Sequence, residues 1–329
     1  MPIVSILGLL GNVLSIIIFY NSHGDNSLHS NFTKLLICLA AFDSSILISA
    51  NALVTMSSWS PESSLIIKAT PYVLPLAGMF LTGSVYTVVA ITVERYASIQ
   101  KSHSRIFSAR VLIFFIIVIS VSYNFIKFFE LKAVEVNYLE RYGHVASNET
   151  YDLDDASNET FETYVQIEVT WLRHHPMYKL IYHMIIDLIV MTLFPIIVLT
   201  VMNIFILQLV KKITQKQSDT VMASLLFSIV LVLLVCHAPR IILNVIEVVF
   251  QEVQEIPEWV WTIMIPVSHL FLVINSSVNI IIYTAGDLKF RQALVKMFQC
   301  KRRSPTIKNI SLESMVTEHT TDDIIPDYY

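Results

Sequence analysis

The chain has 329 residues, of which 54% are hydrophobic and only 15% charged, so it is short of the solvated surface of a soluble domain, where about 25% of residues carry charge. A formal net charge of −4 offers no basic bulk to nucleic acid, and nucleic acid is not an expected partner. Of the three cysteines, Cys38 and Cys236 fall inside apolar runs, which excludes a disulfide framework. Uncharged runs of about 18 or more residues predict membrane helices, because roughly 20 residues at a 1.5 Å rise cross the hydrocarbon core. The first run, Met1 to Tyr20, has no basic leader and so does not read as a cleaved signal peptide. The chain is expected to begin inside this helix, its outer tail either missing or never present. The second run, Leu35 to about Met56, is broken by Asp43. The third, Ala69 to Val93, is uncharged and ends on Glu94-Arg95-Tyr96. The fourth, Val111 to Ile126, is short, and Lys127 is expected to extend it by snorkelling to the interface. The fifth, Leu180 to Val210, carries Asp187; the sixth is Thr220 to Pro239 and the seventh Trp259 to Gly286. The connections are too short to give seven buried helices of a soluble protein an outer polar layer.

These runs predict an all-α membrane protein. A seven-transmembrane helix bundle covers residues 1–286, a short amphipathic cytoplasmic helix 287–300, and a polar, disordered cytoplasmic tail 301–329. With the N-terminus outside, the segments 21–34, 94–110, 211–219 and 287–329 face the cytoplasm and hold 15 of the 22 Lys and Arg. That bias predicts an extracellular N-terminus and a cytoplasmic C-terminus. The loop from about Glu130 to Tyr178 is then extracellular. It is acidic and repeats "ASNET", giving two N-x-T acceptors at Asn148 and Asn158. Asn31, Asn275 and Asn309 also head such triplets, but they lie inside or within a helix and should be silent. Cys300 follows the amphipathic stretch and precedes Lys301-Arg302-Arg303, a context that suits lipidation beside membrane lipid, with a free thiol as the alternative.

The order of short motifs resembles the rhodopsin-like G-protein-coupled receptors over nearly the whole chain. These are Gly11-Asn12, Leu39-Ala40-Ala41-Phe42-Asp43, Glu94-Arg95-Tyr96, Pro195, Cys236-His237-Ala238-Pro239, "NSSVNIIIY" at Asn275 to Tyr283, and Phe290-Arg291. Within that family, "YNFIKFFE" (Tyr123 to Glu130), "CHAPRIILN" (Cys236 to Asn244) and "NSSVN" look most like the invertebrate FMRFamide-type neuropeptide receptors. There are departures. Thr70 stands where the family has the cysteine tying its third helix to the second outer loop, His237 replaces the usual tryptophan, and Ile280 replaces the usual proline. Without that proline the seventh helix is expected to be straighter.

The resemblance implies roles for particular residues. Glu94, Arg95, Tyr96, Asn279 and Tyr283 would serve activation and coupling to a heterotrimeric G protein, with Asp219 pairing Arg95 at rest. Asp43, Ser84, Asn275, Ser276 and Asn279 match a sodium pocket, and oxygen donors suit such a hard cation; a polar cluster without an ion is the alternative. No other cofactor is expected. Asp187, two turns from Pro195, would face the ligand cavity and meet the arginine of a peptide ending in Arg-Phe-amide. The alternative is a partner close by, such as His183. Glu130 and Glu247 are further acidic candidates that also read as solvated rim charges, and His269 and Phe271 could form cavity wall or plain packing. Ala77 stands where amine receptors carry an aspartate, and the seventh run has no lysine for retinal. Phosphorylation of Ser311, Ser314, Thr317, Thr320 and Thr321 would recruit an arrestin-like partner. The sequence shows no metal-ligand spacing, phosphate loop or nucleophile elbow that would make it an enzyme. A receptor for an extracellular neuropeptide is therefore the expectation. The alternatives are a chemosensory receptor of the same fold and a transporter, whose repeated halves the sequence lacks.

Overall fold

The structure is a computed structural model and describes residues 2–21, 29–59, 64–100, 108–137, 163–213, 217–249, 260–286 and 288–298. Its helices are α1 (Pro2–Asn21), α2 (His29–Trp59), α3 (Ser64–Ile99), α4 (Ala109–Asn124, continued by a tighter turn over Phe125–Phe129), α5 (Phe194–Ile213), α6 (Gln217–Val249), α7 (Ile265–Ser277), α8 (Asn279–Gly286) and α9 (Leu288–Phe298). Two wide-turned stretches, Lys179–Ile186 and Leu188–Leu193, lead into α5, and a third, Val260–Met264, leads into α7. Among the described residues, seven segments are long and apolar enough to cross a membrane. The chain divides into two units, Met1–Leu294 and Val295–Tyr329, and of the second only the end of α9 is described.

The polarity of the bundle is reversed relative to a protein built for water. Helix α4 turns Phe114, Phe115, Ile117 and Val118 outward, while Asn12, Asp43, Ser84, Asn124, Asn275 and Ser276 are buried. Hydrocarbon accepts the exposed rings, and the interior supplies the polar groups with partners. Glycine sets the closest packing. A Cβ at Gly8 would stand 2.0 Å from Ser277 Oγ, and one at Gly11 2.8 Å from Ile280 Cγ2, so α1 lies directly against α7 and α8.

In the seventh span regular turns break at Val278, between α7 and α8, close to where Asn12 Nδ2 donates to the Ser276 carbonyl at 2.9 Å. One expectation is corrected here. Lys127 does not reach out to the interface. Its ammonium donates to Asn124 Oδ1 at 3.1 Å and sits 4.7 Å from the centre of the Tyr123 ring. Carbonyl oxygen and ring face replace its hydration inside the bundle.

Where the sequence suggests only an acidic loop, its flanks pair as an antiparallel hairpin. Strand β1 (Leu131–Asn137) lies against β2 (Thr163–Val169), with Leu131 opposite Val169 and Asn137 opposite Thr163. Lys132 bridges the strands to Glu168 at 3.0 Å, and Lys68 ties α3 to Glu135 at 2.6 Å. The hydrogen bonds and charges of these lysines hold both carboxyls below their usual range. The acceptors Asn148 and Asn158, Cys300, and the hydroxyls of the tail lie outside the described residues.

Candidate functional site

Two polar clusters form between the helices. The first is centred on Asp187, at the junction of the two wide-turned stretches before α5, a geometry that occurs often at functional positions. Asp187 is 5% exposed, and both its oxygens are occupied. The Tyr123 hydroxyl donates to Oδ1 at 2.5 Å, Arg240 Nη2 donates to Oδ1 at 3.3 Å, and Asn244 Nδ2 donates to Oδ2 at 2.9 Å. The Tyr182 hydroxyl donates to the Tyr123 carbonyl and so braces that tyrosine. The local alternative from the sequence, a bond to His183, is not what forms. A buried carboxylate in a bundle instead takes a charged partner from another helix.

His183 belongs to the second cluster, around Glu130, at the hairpin end. Glu130 is 5% exposed and is not a solvated rim charge. Arg173 Nη1 donates to its Oε2 at 2.7 Å and the Tyr178 hydroxyl to its Oε1 at 2.7 Å. His183 Nε2 lies 3.0 Å from Glu130 Oε1 and 3.2 Å from Arg173 Nη1, so the ring's tautomer decides whether Nε2 donates to the acid or accepts from the arginine. Burial pushes the Glu130 carboxyl up, but the His183 bond and charge, the Tyr178 hydroxyl and Arg173 outweigh it and hold it at about 2. Thr170 closes the neck of the hairpin, its backbone N–H donating to the Glu130 carbonyl at 2.9 Å.

Beside these clusters lies a cavity of about 280 Å³. Its apolar wall includes Leu81, Leu243, Val260 and Leu272; its polar wall includes Arg173, His237, Arg240, Asn244, His269 and Asn275. His269 is therefore cavity wall. Phe271, half-buried, is not among the lining residues, and neither Asp187 nor Glu130 lines it directly. Asp187 stands behind Arg240 and Asn244. Asp219 and Glu247 fall in α6, but their side chains lie outside what the structure describes.

Of the residues matched to a sodium pocket, Ser84, Ser276 and Asn279 come together at Asp43, while Asn275 lines the cavity instead. Asp43 is fully buried, Ser84 Oγ donates to its Oδ1 at 2.8 Å, and Asn279 Nδ2 donates to its Oδ2 at 2.6 Å. Ser276 lies near enough to act on the carboxylate, yet its buried Oγ completes no hydrogen bond of good geometry. A carboxylate and two hydroxyls, one of them without a good hydrogen bond, fit a hard cation. Ser84, Ser276 and Asp43 would hold it, with the Asn279 amide orienting the carboxylate. Toward the other end of the bundle, the Arg95 guanidinium lies 4.8 Å from the centre of the Phe32 ring, and Tyr96 packs on Phe205 at 6.0 Å. Tyr283 packs on Phe19 and Phe290.

Fold and site together define a seven-helix, multi-pass membrane protein with a cavity of mixed polarity inside its bundle. No family model matches the chain. It is 25% identical to the FMRFamide receptor of Drosophila melanogaster over 315 residues, 92% of this chain and 53% of that relative. It is 31% identical to the FMRFamide peptide receptor frpr-18 of Caenorhabditis elegans over 144 residues, 40% of this chain and 32% of that relative. The chain thus spans about half the length, or less, of the curated relatives it matches. Its likeness is to proteins named FMRFamide receptors, and its seven apolar helices fit that likeness.

The residues that sequence reasoning missed are Tyr123, Lys127, Arg173, Arg240 and Asn244. All but Arg173 sit inside the two stretches that carry the family resemblance, at i, i+4 spacing on one helix face: Tyr123 with Lys127, and Arg240 with Asn244.

Proposed function

We propose that the protein is a receptor for an extracellular neuropeptide of the FMRFamide type, signalling through a heterotrimeric G protein. The carrying observation is the likeness to receptors of that name along 92% of the chain, on a fold with seven spans and a cavity lined by both apolar and polar side chains. The proposed orientation in the plasma membrane puts the hairpin outside and α9 inside, as the Lys and Arg distribution favours. In that orientation Asn148 and Asn158 carry glycans, Cys300 is lipidated, and the tail recruits arrestin. The acidic outer loop steers a basic peptide toward the cavity and raises its on-rate. Glu247 and Glu130 are the carboxylates proposed toward the peptide's cationic residue, while Asp187, the first candidate by sequence, holds Arg240 and Asn244 at the cavity wall. Glu94, Arg95, Tyr96, Asp219, Asn279 and Tyr283 carry the change of state to the G protein, and sodium at Asp43 favours rest.

The test is agonist-dependent nucleotide exchange on a purified G protein, with the full chain in membranes, against a library of amidated peptides. Activation by peptides ending in Arg-Phe-amide is the expected result. Robust activation by some other ligand class, with no response to these peptides, overturns the peptide reading.

A further inference from the structure

One group of exposed apolar side chains lies beyond the spans, at the neck of the hairpin. Thr170 pins this neck onto the end of the fourth span. Its backbone N–H donates to the Glu130 carbonyl at 2.9 Å, and its hydroxyl donates to the Phe129 carbonyl at 2.6 Å. The next residue, Trp171, therefore stands at the level where the fourth span ends, at Phe129, and just before the fifth begins, at Pro176. The Trp171 side chain is 76% exposed, and its ring meets His175 edge-on at 5.4 Å. On the adjoining ends of the two spans, Phe125, Phe129 and Met177 are each more than half exposed. The first rungs of the hairpin continue the pattern. Residues directly opposite in an antiparallel pair share a face, and successive residues alternate between faces. Leu131 with Val169 and Ala133 with Ile167 thus make an apolar face, while Lys132 and Glu168 pair on the other. Val169 and Ile167 are exposed as well.

An apolar patch rimmed by charge marks a surface that another phase or partner covers. Two observations favour lipid. The patch continues the outward-facing apolar surface of α4, which carries Phe114, Phe115 and Phe125 and which hydrocarbon covers. Its most exposed member is a tryptophan, whose large apolar ring carries a single N–H donor; that combination settles between acyl chains and headgroups. We propose that Trp171 and the apolar face of the hairpin neck lie in the interfacial layer of the bilayer, with the ring among the upper acyl chains and its N–H donating to phospholipid ester oxygens. The membrane then supports the neck beside the Thr170 bonds and the tie of Lys68 to Glu135. Arg173, which borders the cavity and holds Glu130, lies two residues on in the same short helix, Trp171–His174. The leaflet thus steadies a stretch that shapes the cavity wall. This placement needs only the multi-pass fold and does not depend on which ligand the cavity takes.

The chain has four tryptophans, Trp59, Trp171, Trp259 and Trp261. In the test, the full chain with the other three changed to phenylalanine is reconstituted into phosphatidylcholine nanodiscs. The lipid is brominated either near the glycerol end of an acyl chain or near its middle, and tryptophan emission is read for each. Emission should be lost most with the shallow bromines, less with the deep ones, and least with iodide dissolved in the water. Because the triple change can impair folding, the same quenching is also read as the difference between the wild-type chain and Trp171→Phe, which keeps the other three tryptophans. Quenching by iodide with none by bromine at either depth puts the ring in water and overturns the proposal. Quenching by neither shows that protein covers the ring, a second copy or another part of this chain, and overturns it equally. Quenching strongest with the deep bromines places the ring in the hydrocarbon core and overturns the interfacial placement.

Discussion

Replacing Asp187 with asparagine keeps the shape of the site and removes its charge, which isolates the coupling to Arg240. The two groups are 3.3 Å apart, with Asp187 side chain 7% and Arg240 side chain 31% exposed. At an effective dielectric of about 20, unit charges at that separation attract by about 5 kcal/mol. Breaking a buried pair by removing one partner costs about 3–5 kcal/mol, because the other charge remains without compensation. Partial access of Arg240 to the cavity places the expected loss near the lower end, about 3 kcal/mol for Asp187→Asn and about as much for Arg240→Gln. The double change removes both charges and should cost much less than the sum, with a coupling of at least about 2 kcal/mol. Denaturant unfolding of the detergent-purified protein, on the wild type, both single variants and the double variant, measures each corner of the cycle. Single losses that add in the double variant to within about 0.5 kcal/mol would show that the two residues do not support each other, and the description of Asp187 as held by Arg240 would be wrong.

Asp219→Ala should raise signalling without agonist several-fold, because releasing an Arg95 latch worth about 1 kcal/mol shifts a two-state balance by that much; unchanged basal exchange at equal expression counts against the latch. Agonist affinity should fall as sodium rises and should cease to depend on sodium in Asp43→Asn, and a sodium response that survives in the variant removes the ion from that site. Glycosidase should lower the apparent mass of the protein made in a secretory host, and the shift should vanish in Asn148→Gln with Asn158→Gln; a shift that persists there places the glycans elsewhere and reopens the orientation.

The seven spans were legible because hydrocarbon imposes one demand on all of them, a run of apolar residues long enough to cross. The same demand explains the misses. Reading a span as an uncharged run ends the fourth at Ile126 and the sixth at Pro239, one residue before Lys127 and Arg240 respectively. Both helices continue, to Phe129 and Val249, because each cation finds its compensation on another helix or on ring faces, which hydropathy along one segment does not register. Asp187 and Glu130 stood out as acids, but burial of Glu130 depends on Arg173, 43 residues away and across the hairpin. The hairpin itself had a trace in the alternation of "VEV" and "VQIEV", overshadowed by the acidity of the segment between. At Asp43 the resemblance named Ser84 and Asn279 correctly as neighbours, since short polar side chains in an apolar bundle have few partners but one another.

The hairpin's attachment to α3 has a consequence for the conditions under which that end of the bundle keeps its shape. Thr70, where a cysteine would anchor a covalent tie, turns its hydroxyl back to the Ile66 carbonyl at 2.8 Å, and the sequence from Glu94 to Val235 contains no cysteine. The described ties are instead the ammonium of Lys68 on Glu135 and the Thr170 bonds to the neck. A thiol such as glutathione or dithiothreitol therefore has no bond to cut there. The exposed ionic tie answers to dissolved salt instead, which at 1 M screens charge within about 3 Å. For this molecule, ionic strength takes the place that redox potential holds where a disulfide fastens such a loop.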